Sequence, residues 1–441
     1  MHPILFRIPL PDFLGGGSLP LYSYGVMLGL SFIVGWYLTL GLAEKDGLSR
    51  ETFANCYVIT AICAVVSSRL LYVVTNLDDF DGLGDVLELR SGGMVAYGGF
   101  VGGFLGSWVY LRWKHIPLIP WADVAVPSLA SGLMITRIGC YLYGCDFGRP
   151  LSATAPEALK HLGTFPRWSA ALPDAAAGSP AWDQHVRAGL IDVSAPTSLP
   201  VHPTQLYECL VGLALLVFLL ASRKTQRFRG QVFLYFAFFY GAARFGLEFL
   251  RDDAERGAIP PALAPHVLFP LCLAVFGAAY AYGIARIIGS RPARVATQVA
   301  AFIPALYAYV ALKPGAFEAV ADVKLSTSQF IGLASAVGAA LGFALLHGRA
   351  LLDPVGAMLI PRSAGEPEEP RDPKDADAED AARPAKPVQA AGKAGPKKPA
   401  ASASRVATPS PAAAPKGEKA SRGAGKKGKK SPRGGKTSGD A

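Results

Sequence analysis

Nine stretches of mostly apolar residues, each near the length needed to cross a bilayer, recur between residues 22 and 347. A spanning helix needs about 20 such residues, and in lipid the backbone must satisfy its own hydrogen bonds within the helix. The sequence therefore predicts an all-α fold, a polytopic membrane helix bundle. The predicted spans are 22–42, 52–76, 95–113, 121–143, 204–222, 230–250, 264–288, 295–312 and 328–347, and the eighth is short and contains Pro304.

Basic residues in the loops predict how the bundle is oriented. The loops after spans 1, 3, 5 and 7, counted with the span ends that flank them, together hold 11 Lys or Arg residues, whereas the stretch NLDDFDGLGD after span 2 holds none and is acidic. Short cytoplasmic loops are enriched in Lys and Arg. We therefore expect the N-terminus outside and the C-terminus in the cytoplasm. The long loop 150–201 is predicted to be a small insertion on the outer side.

Residues 361–441 differ from the rest of the chain in composition. They hold 18 Lys or Arg against 10 Asp or Glu, and most of the net charge of +10 lies there. This split excludes one globular domain with a basic binding face. A segment rich in Pro, Ala, Gly and Lys cannot bury enough apolar surface to fold, so it is predicted to be disordered. Anionic lipid headgroups are its predicted partner; nucleic acid is less favoured, and a solvated linker without a partner is the alternative.

Ionisable residues inside the predicted spans are the strongest functional signal. Arg69, Arg137 and Arg244 lie in spans 2, 4 and 6, each about six or seven residues from the predicted outer end. Such residues are costly in a bilayer and usually have a partner or a function. Tyr240, Arg244, Glu248 and Arg251 recur four, four and three residues apart and form one polar stripe. Glu248 either eases insertion by pairing with Arg244 or holds its guanidinium toward an anion.

Other polar clusters lie at the predicted outer ends of the remaining spans. Span 1 begins near Tyr24, span 3 begins with SGGMVAYGG and span 5 begins with VHPTQLYE. The stretch RIGCYLYGCDFGRP ends span 4 irregularly, and an irregular backbone near a membrane is tolerated where it lines a cavity. The glycine row of span 3 is predicted to serve close helix packing. Six spans therefore place their polar residues on one side of the membrane.

The six cysteines show no metal-binding spacing, and the sequence predicts neither a metal nor a cofactor. Most are predicted to be small core residues. Cys140 and Cys145 are five residues apart, so on a helix their side chains would point about 140° apart. On that basis we do not expect them to form a disulfide.

These motifs resemble the prolipoprotein diacylglyceryl transferase family of bacterial inner membranes over about residues 20–290. RIGCYLYGCDFGR at 137–149 is similar to the family signature, HPTQLYE at 202–208 matches a second motif, and YGAARFGLEFLRD at 240–252 resembles a third. SGGMVAYGG at 91–99 is a weaker match. The resemblance implies a seven-span core in 1–290 with the insertion 150–201, followed by two additional spans in 291–350 and the tail 361–441.

The resemblance also implies a reaction. A diacylglyceryl group would pass from phosphatidylglycerol to the lipobox cysteine thiol of a prolipoprotein signal peptide, giving a thioether and glycerol phosphate. Arg137 would bind the lipid phosphate, Arg244 the headgroup or leaving group, and Glu248 would orient Arg244. The remaining candidates for substrate binding are Tyr24, Arg69, Cys140, Gly148, Gln205, Glu208 and Tyr240.

The chain departs from the family where its third-span motif carries Tyr97 in place of a histidine. Tyrosine, with a pKa near 10, is a poor base, so we assign catalysis mainly to Arg137 and Arg244, which would stabilise charge on the departing phosphate. Tyr97 and His202 complete the predicted catalytic set, with His202 as the alternative base. Two other functions remain open: a non-catalytic, lipid-binding relative of the family, and an anionic lipid transporter.

Overall fold

A computed structural model describes the chain over residues 2–9, 11, 17–80, 82, 84, 93–168, 178–252, 257–315 and 320–359. The predicted tail 361–441 lies outside the described residues. The helices are α1 Ser23–Lys45, α2 Arg50–Thr75, α3 Ala96–Trp113, α4 Leu118–Tyr143, α5 Glu157–Leu162, α6 Pro180–Arg187, α7 Thr204–Arg223, α8 Gln231–Leu247, α9 Pro265–Tyr282, α10 Arg291–Ala300, α11 Ile303–Ala311 and α12 Thr327–Leu352. Within the described ranges, four short strands form two antiparallel pairs, β1 Ile4–Pro9 with β2 Ser18–Tyr22 and β3 Ile259–Leu263 with β4 Val323–Leu325.

Eight helical segments in the described part of the chain are long and apolar enough to cross a membrane. They correspond to eight of the nine predicted spans, and the polytopic helical bundle is confirmed. The remaining predicted span is span 3 at 95–113, which corresponds to α3. Its five glycines lower its mean hydropathy. The eighth is interrupted after Ala300, and Pro304 lies in the first turn of α11, where its missing N–H is tolerated.

The glycine row of α3 lies against α2. A Cβ at Gly98 would meet the backbone of Ser67 at 2.4 Å, and one at Gly106 would meet the Cys63 side chain at 2.7 Å. Small residues at this spacing allow two helix backbones to approach closely. The structure confirms the packing interpretation of the row.

The last helix packs on the core rather than standing apart from it. α12 lies along α8, and Ala336, Ala339 and Phe343 belong to the same buried cluster as Phe238 on α8. Closer to the start of α12, a Cβ at Gly241 would meet the carbonyl oxygen of Gly332 at 2.5 Å. This contact holds the first turns of α12 against the last turns of α8.

The connections at one end of the bundle form a small folded layer. Phe147, Phe165, Ala181 and Val201 pack as a separate buried cluster, which gives the predicted insertion 150–201 its own apolar core. Backbone hydrogen bonds join this layer to the segment after α8, among them Arg149 N to Leu250 O at 2.8 Å.

Candidate functional site

Arg137 lies near the end of α4, where the chain reverses direction. The helix ends at Gly144, which has a left-handed φ of 88°, and the Gly144 amide donates to Cys140 O at 2.7 Å. The turn brings Asp146 back beside α4. Its Oδ2 lies 2.5 Å from Nη1 of Arg137. The irregular end predicted for span 4 therefore positions a carboxylate against the buried guanidinium.

Glu208 on α7 connects three arginines. Its side chain is 2% exposed, and it forms an ion pair with Nε of Arg137. Its other oxygen lies 3.4 Å from Nη1 of Arg244 and 3.8 Å from Nη1 of Arg251. Because these arginines come from α4, α8 and the segment after α8, one carboxylate joins three separate parts of the fold.

Two more carboxylates complete the cluster. Oε2 of Glu248 lies 2.7 Å from Nη1 of Arg244, and Oδ1 of Asp146 lies 2.5 Å from Nη2 of Arg251. The predicted ion pair along the α8 stripe is therefore present. We call the set Arg137, Arg244, Arg251, Asp146, Glu208 and Glu248 the arginine–carboxylate cluster, and its three positive and three negative charges cancel.

Ser328, in the first turn of α12, links two of the predicted catalytic residues. Its hydroxyl lies 3.0 Å from the hydroxyl of Tyr97 and accepts a hydrogen bond from Nη2 of Arg244 at 3.1 Å. The tyrosine that replaces the family histidine is thus connected to Arg244 through a residue of the last helix.

Several other predicted residues surround the cluster. Nη1 of Arg137 contacts the Cys140 sulfur at 3.7 Å, and Gln205 donates to the Cys145 carbonyl at 2.5 Å. Tyr240 stacks on Phe236 and interacts electrostatically with both Glu208 and Arg244.

Tyr24 and Gly148 lie on the α4 side of the same region. The Tyr24 backbone is so near Gly139 that a Cβ there would lie 3.1 Å from Tyr24 Cα. At Gly148 a Cβ would meet the Leu250 carbonyl oxygen at 2.4 Å. Any larger residue at Gly148 would displace the segment that carries Glu248 and Arg251.

The contacts of two predicted site residues point elsewhere. Arg69 donates to the carbonyl of Gly93 at 3.1 Å and lies over the rings of Tyr72 and Phe80. Nδ1 of His202 lies 3.4 Å from the Tyr207 hydroxyl, and none of its hydrogen bonds within the described residues reaches the cluster. Burial lowers the pKa of His202, so its ring is neutral at pH 7.

The geometry expected for the cysteine pair is wrong. Because α4 ends before Cys145, the two residues are not on one helix, and the Cys140 and Cys145 sulfurs and an Asp146 oxygen all lie within 4.8 Å of one another. These three groups are close enough to share a cation. They suit one poorly, because the oxygens of Asp146 already bind two guanidinium groups.

The charge of Asp146 is set by its neighbours. Burial alone would raise the pKa of this carboxyl, but the guanidinium groups of Arg137 and Arg251 outweigh burial and hold the pKa well below its ordinary value. Asp146 is therefore ionised at neutral pH.

Three members of this arrangement were missed in the sequence-based site. Asp146 follows Cys145 in the signature-like stretch, and Arg251 continues the polar stripe of α8, so both had a local signal. Ser328 had none, because it is 84 residues from Arg244 in a segment outside the recognisable motifs.

Comparison with known proteins gives a consistent result. The profile of the family described as prolipoprotein diacylglyceryl transferase matches residues 11–292. A phosphatidylglycerol–prolipoprotein diacylglyceryl transferase of Clostridium tetani is 27% identical over 260 residues, which cover 59% of this chain and 88% of the relative. The corresponding enzyme of Bacillus cereus is 26% identical over 239 residues, covering 54% and 79%, and that of Bacillus mycoides matches equally. This chain belongs to the prolipoprotein diacylglyceryl transferase family.

Proposed function

We propose that this chain transfers the diacylglyceryl group of phosphatidylglycerol to the lipobox cysteine of prolipoproteins. The observation that carries the proposal is the contact of Glu208 with Arg137, Arg244 and Arg251, since it gathers three guanidinium groups at one end of the bundle. Two of the arginines predicted to bind substrate, Arg137 and Arg244, thus lie together with Arg251. Family membership supplies the reaction class.

The reaction places charge where this cluster lies. The substrate thiol, as thiolate, attacks the glyceryl carbon that bears the phosphate. A C–S bond forms, the C–O bond to phosphate breaks, and glycerol phosphate leaves with the electron pair while the thiol proton passes to solvent or a base. Donors aimed at the departing phosphate stabilise this transition state.

Arg137 and Arg244 keep donors available for a phosphate. The contacts of Arg137 use Nε and Nη1, and those of Arg244 use Nη1 and Nη2. In the described part of the chain, Nη2 of Arg137 and Nε of Arg244 have no partner. A planar guanidinium can hold a carboxylate on one edge and a phosphate oxygen on another.

The three carboxylates position the arginines rather than react. Glu208 and Glu248 fix the guanidinium groups before substrate binds, and Asp146 couples Arg137 to Arg251. Ser328, whose hydroxyl also contacts Tyr97, holds Nη2 of Arg244. The lipid site around this cluster would be shaped by Cys140, Tyr24, Gln205, Gly148 and Tyr240. Arg69 would contribute to substrate binding from α2.

The direct test uses the full chain in lipid nanodiscs. Incubation with labelled phosphatidylglycerol and a lipobox peptide should give a peptide carrying the label through a thioether, and the Cys→Ser peptide should stay unlabelled. No product from folded protein would contradict the proposal and support the non-catalytic, lipid-binding relative. Movement of label between leaflets without product would support transport.

We further propose that the chain lies in the bacterial inner membrane with its N-terminus periplasmic and its tail cytoplasmic. The loop charges support this orientation. A green fluorescent protein fused after residue 441 should fluoresce, while alkaline phosphatase fused there should be inactive. The opposite pair of results would reverse the orientation.

The tail 361–441 is proposed to associate with anionic headgroups. Beyond residue 380 it holds 15 Lys or Arg and two acidic residues, and each basic residue near an anionic surface contributes about 1 kcal/mol. In nanodiscs, phosphatidylglycerol should slow proteolysis of the tail relative to phosphatidylcholine. Equal rates would leave the tail as a solvated linker.

A further inference from the structure

A cavity of about 360 Å³ lies at the other end of the bundle from the arginine–carboxylate cluster. It is formed where the segment before α8, the segment after α9 and the last turns of α12 meet. Along α12, its lining residue His347 is 19 positions from Ser328, which corresponds to about 28 Å. The cavity is therefore separate from the proposed catalytic site.

Three arginines line this cavity without a carboxylate partner. Arg227, Arg286 and Arg294 form no ion pair with any described residue. By contrast, Arg223 and Arg229 at the same end are both paired with Asp46, at 2.6 and 2.5 Å. The cavity thus concentrates positive charge that no described carboxylate neutralises by an ion pair.

The cationic side chains are held in place. Nε of Arg294 donates to the carbonyl of Ile288 at 2.9 Å, and the guanidinium of Arg286 lies 4.4 Å from the ring centroid of Tyr282. Preorganised guanidinium groups bind phosphate oxygens more tightly than mobile ones, because less side-chain freedom is lost.

His347 provides a second, independent indication. It is 4% exposed, it lines the cavity, and its Nδ1 is buried without a hydrogen-bond partner among the described residues. Leaving a buried polar atom unpaired is unfavourable. The imidazole tautomer with its hydrogen on Nδ1 donates from that atom, so an anion in the cavity would provide the missing partner.

We propose that this cavity binds a phosphate group through Arg227, Arg286, Arg294 and His347. The group would come from the headgroup of an anionic lipid or from a free phosphate. Ala344 and Leu351 give the cavity an apolar side suited to the glyceryl part of a lipid. Basic pockets between helices at the cytoplasmic face are known to bind anionic headgroups.

The cavity depends on residues that follow the region matched by the family profile. Arg294 and His347 follow residue 292, where the match to the family profile ends. The additional spans therefore supply half of the proposed ligands. The proposal does not depend on the transferase activity.

Photo-crosslinking can test the lipid source. Leu351→p-benzoylphenylalanine, at a position 69% exposed, places the crosslinker at the cavity in the full chain. Nanodiscs would contain radiolabelled phosphatidylglycerol or phosphatidylcholine. Arg286→Gln/Arg294→Gln should lower phosphatidylglycerol labelling about tenfold or more, since each charge-assisted hydrogen bond contributes about 1.5–3 kcal/mol. Arg291→Gln, an exposed arginine of the same segment outside the cavity lining, is the matched control and should change labelling less than about twofold.

Calorimetry in phosphatidylcholine nanodiscs tests the free source, with inorganic phosphate as the probe. A heat of phosphate binding that disappears in Arg286→Gln/Arg294→Gln but persists in Arg137→Ala would assign phosphate binding to the cavity. Labelling by phosphatidylglycerol that inorganic phosphate does not compete would assign the headgroup. Thermal unfolding would first show that both variants are folded. The proposal is overturned if neither the labelling nor the binding heat depends on Arg286 and Arg294, or if Arg291→Gln has the same effect as the double variant.

Discussion

Arginine and carboxylate side chains cluster at both ends of the bundle, and the two clusters satisfy their carboxylates differently. Asp123 lies near the start of α4 and Arg137 near its end, 14 residues or about 21 Å apart. Asp123 is fully buried and accepts hydrogen bonds from the amides of Gly230 and Phe233, at 2.6 and 2.9 Å, and from Gln226 at 2.6 Å. Both of its oxygens therefore accept hydrogen bonds.

Glu208 at the other end is equally buried but differently engaged. Its oxygens form ion pairs with three arginines, yet neither accepts a hydrogen bond of good geometry from a described residue. A carboxylate that accepts three hydrogen bonds from the protein is committed to joining helices. A carboxylate held only by ion pairs can yield guanidinium donors to an incoming anion. We infer that the hydrogen-bonded carboxylate of Asp123 is structural and that the arginine–carboxylate cluster is built to bind substrate.

The largest expected effect is on transfer by Arg137→Ala. Removing a donor aimed at developing charge costs about 10²–10³ in rate, and the nanodisc assay with a lipobox peptide measures it. Arg137→Lys keeps the charge but loses the planar fork, so an intermediate loss is expected. Thermal unfolding of each variant separates the rate effect from misfolding.

The matched control is Arg223→Ala at the opposite end. It removes the ion pair with Asp46, so it should lower the unfolding temperature while changing turnover by less than about twofold. Full activity of Arg137→Ala, or a loss as large in Arg223→Ala, would abolish the distinction between the two clusters.

Asp123→Ala should act on stability rather than on chemistry. The buried amides of Gly230 and Phe233 would lose their acceptor, and hydrogen bonds to a charged group are worth about 1.5–3 kcal/mol each. We expect a clear decrease in the unfolding temperature in detergent, with turnover of the folded fraction preserved. Asp322→Ala, at an exposed position, is the control and should be neutral. A selective loss of turnover would place Asp123 in the functional site.

Sequence reasoning found the bundle because its signals are local. Span length, loop charge and the glycine spacing of α3 each act within one segment, and the arginines inside spans are recognisable from their cost in lipid. What it missed depends on the tertiary fold. The Cys140–Cys145 separation depended on where α4 ends, and Ser328 reaches Arg244 only because Gly241 and Gly332 let α8 and α12 touch.

The balance of positive and negative charges in the site was also not predicted from the sequence. Clustered arginines were expected to face a lipid phosphate, whereas three carboxylates share their donors. The Arg244–Glu248 pair follows from the four-residue spacing, but the partners of Glu208 depend on how α4, α7 and α8 pack. The sequence thus predicted the ion pair between neighbouring turns but not the ion pairs between separate segments.

Ser328→Ala should have a moderate effect on transfer. It removes one hydrogen bond from the charged guanidinium of Arg244 and one contact with Tyr97. A hydrogen bond to a charged group is worth about 1.5–3 kcal/mol, which sets the loss at about 10- to 150-fold in rate. Tyr97→Phe should act through the same link, so the double variant should lose little more than either single one. Ser335→Ala, whose hydroxyl bonds within α12 to Gly332, is the control. Additive losses would show that Tyr97 and Ser328 act separately.

The smallest effect is expected for His202→Asn. Burial lowers the pKa of His202, so a catalytic role as base would be available at pH 7 and would be lost as the pH falls through that pKa. Removing such a base would cost about 10²–10⁴ in rate. Because its ring contacts Tyr207 and its backbone carbonyl, retained in the variant, accepts from Gly148, we expect a loss below about threefold and an unchanged pH profile. A large loss, together with disappearance of the acidic limb of the profile, would instead make His202 the base and reduce the arginines to substrate binding.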